Sequence, residues 1–96
     1  MKRLVFSNAA IADIHAIAAY TVENWGIDQS DRYIRNIRDA CQNLASGVWQ
    51  GRKVDLLPRY LKYLVGSHMI YLRDEGQRMK VVRILHGSMD APKHLK

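Results

Sequence analysis

The stretch Lys80-Val81-Val82-Arg83-Ile84-Leu85-His86 decides the fold. Val82 and Ile84 alternate against Val81, Arg83 and Leu85. Residues of about 79–86 therefore read as a strand that is apolar on both faces, which belongs inside a sheet rather than at its rim. Gly87 turns the chain, and Ser88-Met89-Asp90-Ala91-Pro92-Lys93-His94-Leu95 follows as a short tail in which Pro92 discourages a long helix. Upstream, Asp74-Glu75-Gly76-Gln77 and Gly66-Ser67 read as hairpin connections. They bound two further alternating segments. One covers about 68–73, with Ile70 and Leu72 against Met69 and Tyr71. The other covers about 59–65, with Leu61, Tyr63 and Val65 on one face. Three such segments in succession make an antiparallel meander. Residues 47–58, punctuated by Gly47, Gly51 and Pro58, read as irregular.

The first half of the chain has a different period. Arg3-Leu4-Val5-Phe6 reads as a short strand, and Ser7 suits the N-cap of a helix because its hydroxyl can accept an orphan backbone N–H. Ile11, Ile14, Ala18, Val22 and Trp25 recur at helical spacing from about residue 8 to 25, and Gly26 stops the helix. Asp28 is expected to cap a second helix, with Asp31 in its first turn and Ile34, Ile37, Cys41, Leu44 and Ala45 as its buried stripe. Arg32, Arg35 and Arg38 project elsewhere, with Asp28–Arg32 and Asp31–Arg35 spaced for ion pairs; Gly47 ends the helix. The short link Gly26-Ile27-Asp28 predicts an antiparallel helix hairpin. The expectation is one α+β domain over residues 1–96. An N-terminal strand precedes a two-helix hairpin packed on an antiparallel β-sheet, in the order β-α-α-β-β-β, with a short C-terminal tail.

Composition bounds the partners. The 96 residues are 48% apolar, ordinary for a packed domain. Lone Cys41 cannot form an internal disulfide, which suits a reducing compartment. Asn8, Asp13 and His15 interrupt any signal-like apolar run, and no stretch nears the ~18 apolar residues of a membrane span, so a cytoplasmic location away from membranes is expected. A net charge of +6 favours anionic partners.

The chemistry-bearing residues are few. Phosphate-loop, HExxH, CxxC and GxSxG patterns do not occur. The four histidines lack metal-ligand spacing, so neither a metal nor a cofactor is expected. His15 reads as half-exposed; His68 begins a strand and His86 ends one, each with a local hydrogen bond as its simplest reading. Trp25 reads as a helix-end core residue, whereas Trp49, in an irregular loop, is equally suited to touching a partner. Arg83 interrupts an apolar strand, so it pairs with Asp90 or Glu23 or presents a cation at the sheet edge.

Taken in order, these pieces resemble the RelE/ParE superfamily of bacterial toxins over essentially the whole chain, and its ParE branch in particular. The opening Phe6-Ser7 with Asp13-Ile14, then Tyr20, Trp25-Gly26, Gln29, Tyr33, Leu44-Ala45, Gly51-Arg52, Asp55, Gly66, His68, Ile70 and Tyr71 match its pattern. So do Arg83-Ile84-Leu85-His86, Met89-Asp90 and His94-Leu95. Gly87-Ser88 departs from it where Gln-Arg is common, and Pro58-Arg59-Tyr60 where Gly-x-Arg is common. The resemblance implies a compact toxin neutralised by a wrapping, ParD-like antitoxin. It also implies inhibition of DNA gyrase without catalysis by the toxin. Candidate target contacts are then Arg83, His86, Met89, Asp90, Lys93, His94 and Leu95. Candidate antitoxin contacts are Trp49, Arg32, Arg35, Tyr63 and Tyr71.

Two other readings compete. A RelE-like toxin cleaves messenger RNA on the ribosome, which needs a base, an acid and free cations. No tyrosine follows Arg83, and His86 and His94 have no evident partner. A nucleic-acid module using Arg32, Arg35 and Arg38 ranks last, since Asp28, Asp31 and Asp39 dilute that face, and direct nucleic-acid binding is not expected.

Overall fold

The computed structural model describes residues 2–55, 57–89 and 91–95. Strand β1 (Arg3–Phe6) leads into helices α1 (Asn8–Trp25) and α2 (Ile27–Ser46). Strands β2 (Arg52–Lys53), β3 (Tyr60–Val65), β4 (His68–Asp74) and β5 (Arg78–His86) follow, and a last turn of helix, α3 (Ala91–His94), closes the chain. The sheet order is β1-β5-β4-β3-β2. The α+β expectation and the meander hold, and β5 lies inside the sheet, between β1 and β4, as its doubly apolar pattern requires.

The sheet is mixed rather than wholly antiparallel, because β1 runs parallel to β5, with Leu4 opposite Met79 and Phe6 opposite Val81. The helix hairpin supplies the long return that a parallel pairing needs. Residues 52 and 53, expected to be irregular, form a short edge strand against Lys62 and Leu61. Gly51 permits this approach, for a side chain there would sit 2.9 Å from the Cβ of Leu61.

Helix α1 begins as expected, with the Ser7 hydroxyl accepting the Ala10 N–H at 3.0 Å. Its buried face differs from the expected stripe. Ala10, Ile14, Ile17 and Thr21 are buried, whereas Ile11, Val22 and Trp25 are exposed, Trp25 by 70%. Trp25 is thus a surface residue, not a helix-end core residue. Small or polar side chains carry the contact. The Thr21 hydroxyl is satisfied by the Ile17 carbonyl at 2.7 Å, and buried Ser30 of α2 donates across the hairpin to the Ala18 carbonyl at 3.1 Å. A stripe drawn from large apolar residues alone misses these positions. Asp28 does not cap α2; Gly26 is its N-cap and makes no side-chain bond, leaving Asp28 in the first turn. Neither Asp28–Arg32 nor Asp31–Arg35 closes as an ion pair among the described residues. His15 is exposed rather than half-exposed.

Two apolar clusters sandwich the sheet. On the helix side, Ile14, Ile17, Ile37, Cys41 and Leu44 meet Ile70, Leu72, Val81 and Ile84. On the other side, Tyr71, Leu85 and Leu95 are buried together, with Tyr60, Met69 and Val82 around them. A bulge makes this possible. Leu72 pairs with Val81 and Tyr71 with Arg83, so Val82 is the extra residue and joins the second cluster while Ile84 returns to the first.

Candidate functional site

The pairing of β1 ends at Phe6 and Val81, so β5 continues beyond it with an open edge. The start of α1 covers that edge. The Ser7 N–H donates to the Val81 carbonyl at 2.9 Å and its hydroxyl donates to the Val82 carbonyl at 2.6 Å. Nearly two helical turns later, Asp13 accepts the Ile84 N–H at 2.9 Å and both Nε and Nη2 of Arg83 at 2.8 Å. Arg83 therefore pairs with Asp13, not with Glu23; Asp90 lies outside the described residues. The sequence reading passed over Asp13 because it overlooked that β1 returns beside β5. The carboxylate holds the Arg83 guanidinium above the ordinary arginine range.

Next to this pair, β4 and β5 place His68 directly opposite His86. The rings meet edge to face, with centroids 5.5 Å apart. The His68 Nδ1 lies 2.6 Å from the Tyr33 hydroxyl, which also accepts the Ser67 N–H at 3.1 Å and lies 3.0 Å from the Val65 carbonyl. The phenol has one proton, for Val65 or for a neutral His68; a protonated His68 must donate and send that proton to Val65. Burial, reinforced by His86, lowers the His68 pKa, while Asp13 opposes the shift. Burial raises the Tyr33 pKa. The His86 Nδ1 lies 2.8 Å from the Ser88 hydroxyl. No group of three potential metal-ligating side chains occurs among the described residues.

These residues floor a groove of about 740 Å³ between α1 and the ends of β4 and β5. Its walls include Ile17, Tyr20, Trp25 and Met89; Tyr20, Trp25 and Met89 are exposed by 63%, 70% and 43%. An aromatic and thioether rim over a polar floor suits an apolar side-chain row from a partner segment.

Of the candidate target contacts, His86 and Met89 line the groove and Arg83 stands behind it on Asp13. The tail then crosses to the other sheet face. Lys93 is exposed there, His94 half-buried, and Leu95 only 5% exposed, a core residue rather than a free contact. Of the candidate antitoxin contacts only Trp49 and Tyr63 come together. Trp49 stacks on Tyr63 with centroids 5.3 Å apart; Arg32 and Arg35 are exposed on α2; Tyr71 is buried beneath the tail and offers a partner little surface. In the sequence Tyr20, Tyr33 and His68 stand out only as pattern residues, not as site residues. Their common location depends on the 34-residue separation between α2 and the β3–β4 turn being closed, as in the Tyr33–Ser67 bond.

A helix hairpin on one face of a five-stranded mixed sheet, with an apolar groove beside the ends of β4 and β5, defines a small α+β domain. Residues 4–91 match the family model described as the ParE toxin of the type II toxin–antitoxin system parDE. The chain belongs to this toxin family. It is 36% identical over 96 residues to Toxin ParE1 of Mycobacterium tuberculosis, covering 98% of each chain. Its fold matches a chain of the chromosomal ParDE system from P. aeruginosa, with a TM-score of 0.77 at 20% identity, over 90% of this chain and 96% of that one. A chain of the RelB–RelE antitoxin–toxin complex from Methanococcus jannaschii matches with a TM-score of 0.57 at 20% identity, over 86% and 90%.

Proposed function

We propose that this toxin inhibits DNA gyrase, and so replication, and that a ParD-like antitoxin neutralises it by seating an amphipathic segment in the groove beside α1. The observation that carries the antitoxin reading is the row Tyr20, Trp25 and Met89, exposed around one apolar groove. An isolated monomer seldom leaves such side chains together in water without a partner. The ParDE relatives support the choice of antitoxin type. For the target, family membership supports gyrase.

Ribosome-dependent RNA cleavage has one feature in its favour, the His68–His86 pair, which could exchange protons. Against it, Asp13 neutralises Arg83, so that guanidinium is not free to stabilise a developing phosphorane charge. A gyrase supercoiling assay run beside a ribosome-bound messenger cleavage assay tests the target. Inhibition of supercoiling with intact messenger is the expected result, and site-specific messenger cleavage overturns it. Co-purification with the antitoxin tests the groove. Trp25→Ser should weaken binding at least ~10-fold, as expected for a central aromatic anchor, with unchanged melting. Full-strength binding by this variant removes the antitoxin from the groove.

A further inference from the structure

The charge of this chain is divided between its two layers. Residues 8–46, the helix hairpin, hold five acids against three arginines; the rest of the chain holds twelve lysines and arginines against four acids. Register concentrates the excess on the sheet face away from the helices. Leu4, Leu61, Leu72, Met79 and Val81 pack toward the helices, so their strand neighbours Arg3, Lys62, Arg73, Arg78 and Lys80 point the other way, and Arg52 follows its partner Lys62.

On that face cations stand opposite cations. Arg3 pairs with Arg78, Arg52 with Lys62, and Arg73 with Lys80. Like charges directly opposite one another destabilise a sheet. Glu75 in the β4–β5 turn relieves only Arg73 and Arg78, whereas Arg3, Arg52, Lys62 and Lys80 form no ion pair among the described residues. The Arg52–Lys62 pair is wholly unrelieved, and Arg3 and Lys80 lack a counter-ion of their own, a standing cost that an anionic partner would remove.

We propose that this helix-free face binds the phosphate backbone of duplex DNA, as a surface separate from the groove. An acidic peptide fits it less well. Peptide segments anchor by apolar side chains in pockets, and beyond the area that the tail covers this face offers only Val5 on β1 and the exposed Leu64 on β3, on separate strands and in no common pocket. Single strands fit less well too, because they stack bases on open aromatic rings. Of the aromatic residues here, Tyr71 is buried beneath the tail, and Tyr60 has Arg73 over its ring at 5.9 Å and its hydroxyl on the Leu95 carbonyl. Unpaired cations without a stacking platform suit phosphates and carry no sequence preference. The sequence expectation of no nucleic-acid contact considered only the α2 arginines, which lie on the opposite layer.

Fluorescence-polarisation titration of the full chain with a short labelled duplex tests this without gyrase or antitoxin, so its outcome is independent of the function proposed above. About four phosphate contacts give a ~100-fold loss of affinity between about 50 and 200 mM salt. Lys62→Glu combined with Lys80→Glu should weaken binding at least ~10-fold and flatten the salt slope by ~1.8. Arg32→Glu with Arg35→Glu on α2 should stay within about threefold, since those side chains make no phosphate contact. Melting curves check that both variants fold, and Lys62→Gln with Lys80→Gln repeats the test with milder changes. Equal losses in the sheet and α2 variants, no duplex binding at low salt, or tighter binding of polyglutamate than of DNA each overturns the proposal.

Discussion

Asp13 and Arg83 stand 70 residues apart in sequence and form a two-point ion pair, both bonds 2.8 Å, that finishes the open edge of β5. The carboxylate also takes the Ile84 N–H, so one side chain replaces part of a missing strand. The arrangement is asymmetric. Removing Asp13 orphans a guanidinium and a backbone donor, whereas removing Arg83 leaves Asp13 its bond to Ile84. The side chains are 14% and 22% exposed, so water screens them only in part. Asp13→Ala should cost about 2–4 kcal/mol and Arg83→Ala about 1–2 kcal/mol. Urea unfolding of both variants and the double variant measures this. An Arg83→Ala loss equal to that of Asp13→Ala would show that the Ile84 bond contributes nothing.

Gly66 should be the least replaceable glycine of the hairpin turns. Its φ is +55°, and a Cβ there would stand 2.7 Å from the Tyr33 ring, which is held by its hydroxyl bonds to the β3–β4 turn. Gly76 has φ +84° with nothing within 4 Å. Gly76→Ala therefore carries only backbone strain, about 1 kcal/mol, while Gly66→Ala adds a clash and should reach about 2–4 kcal/mol. Thermal melting compares them; equal losses would mean that the Tyr33 ring yields freely.

Most of the fold was legible because two periods were clean. Leu61, Tyr63 and Val65 alternate as a strand should, and Ile37, Cys41 and Leu44 repeat as a helix should. What failed were positions where polarity and burial part company. Thr21 and Ser30 are buried because each hydroxyl finds a carbonyl, while the large apolar Trp25 is exposed on the solvent side of α1. The site was only half legible. Arg83 demanded a partner, but which acid answered depended on β1 lying beside β5, a long-range pairing that local sequence does not encode.

His68 should make stability depend on pH. Burial lowers its folded pKa below that of the unfolded chain, with His86 adding to the shift and Asp13 opposing it. The unfolded state then binds more protons, so stability rises with pH through this window. The contribution is complete above about pH 6.5, the unfolded histidine value, and is lost as pH falls toward the folded pKa. Urea midpoints between pH 5 and 7.5 should fall on the acid side, and His68→Gln should remove part of that slope. An unchanged slope in the variant would assign the pH dependence elsewhere.

Met89 and Leu95 are both expected from the sequence as target contacts, and the structure separates them. Leu95 is 5% exposed, packed with Tyr71 and Leu85, and its carbonyl accepts the Tyr60 hydroxyl at 3.3 Å. Met89 is 43% exposed at the groove rim. Leu95, expected as a target contact, is instead part of the core. Leu95→Ala should cost about 2–4 kcal/mol, in the range for truncating a buried leucine, and Tyr60→Phe about 1 kcal/mol for one hydrogen bond. Met89→Ala should leave melting nearly unchanged. Deleting residues 87–96 should therefore lower the melting temperature steeply, and the loss of toxicity should follow from the loss of fold. Paired melting and growth-inhibition measurements decide the matter. If the deletion melts with the full chain yet is harmless, the tail acts through contact and Leu95 adds little to the core.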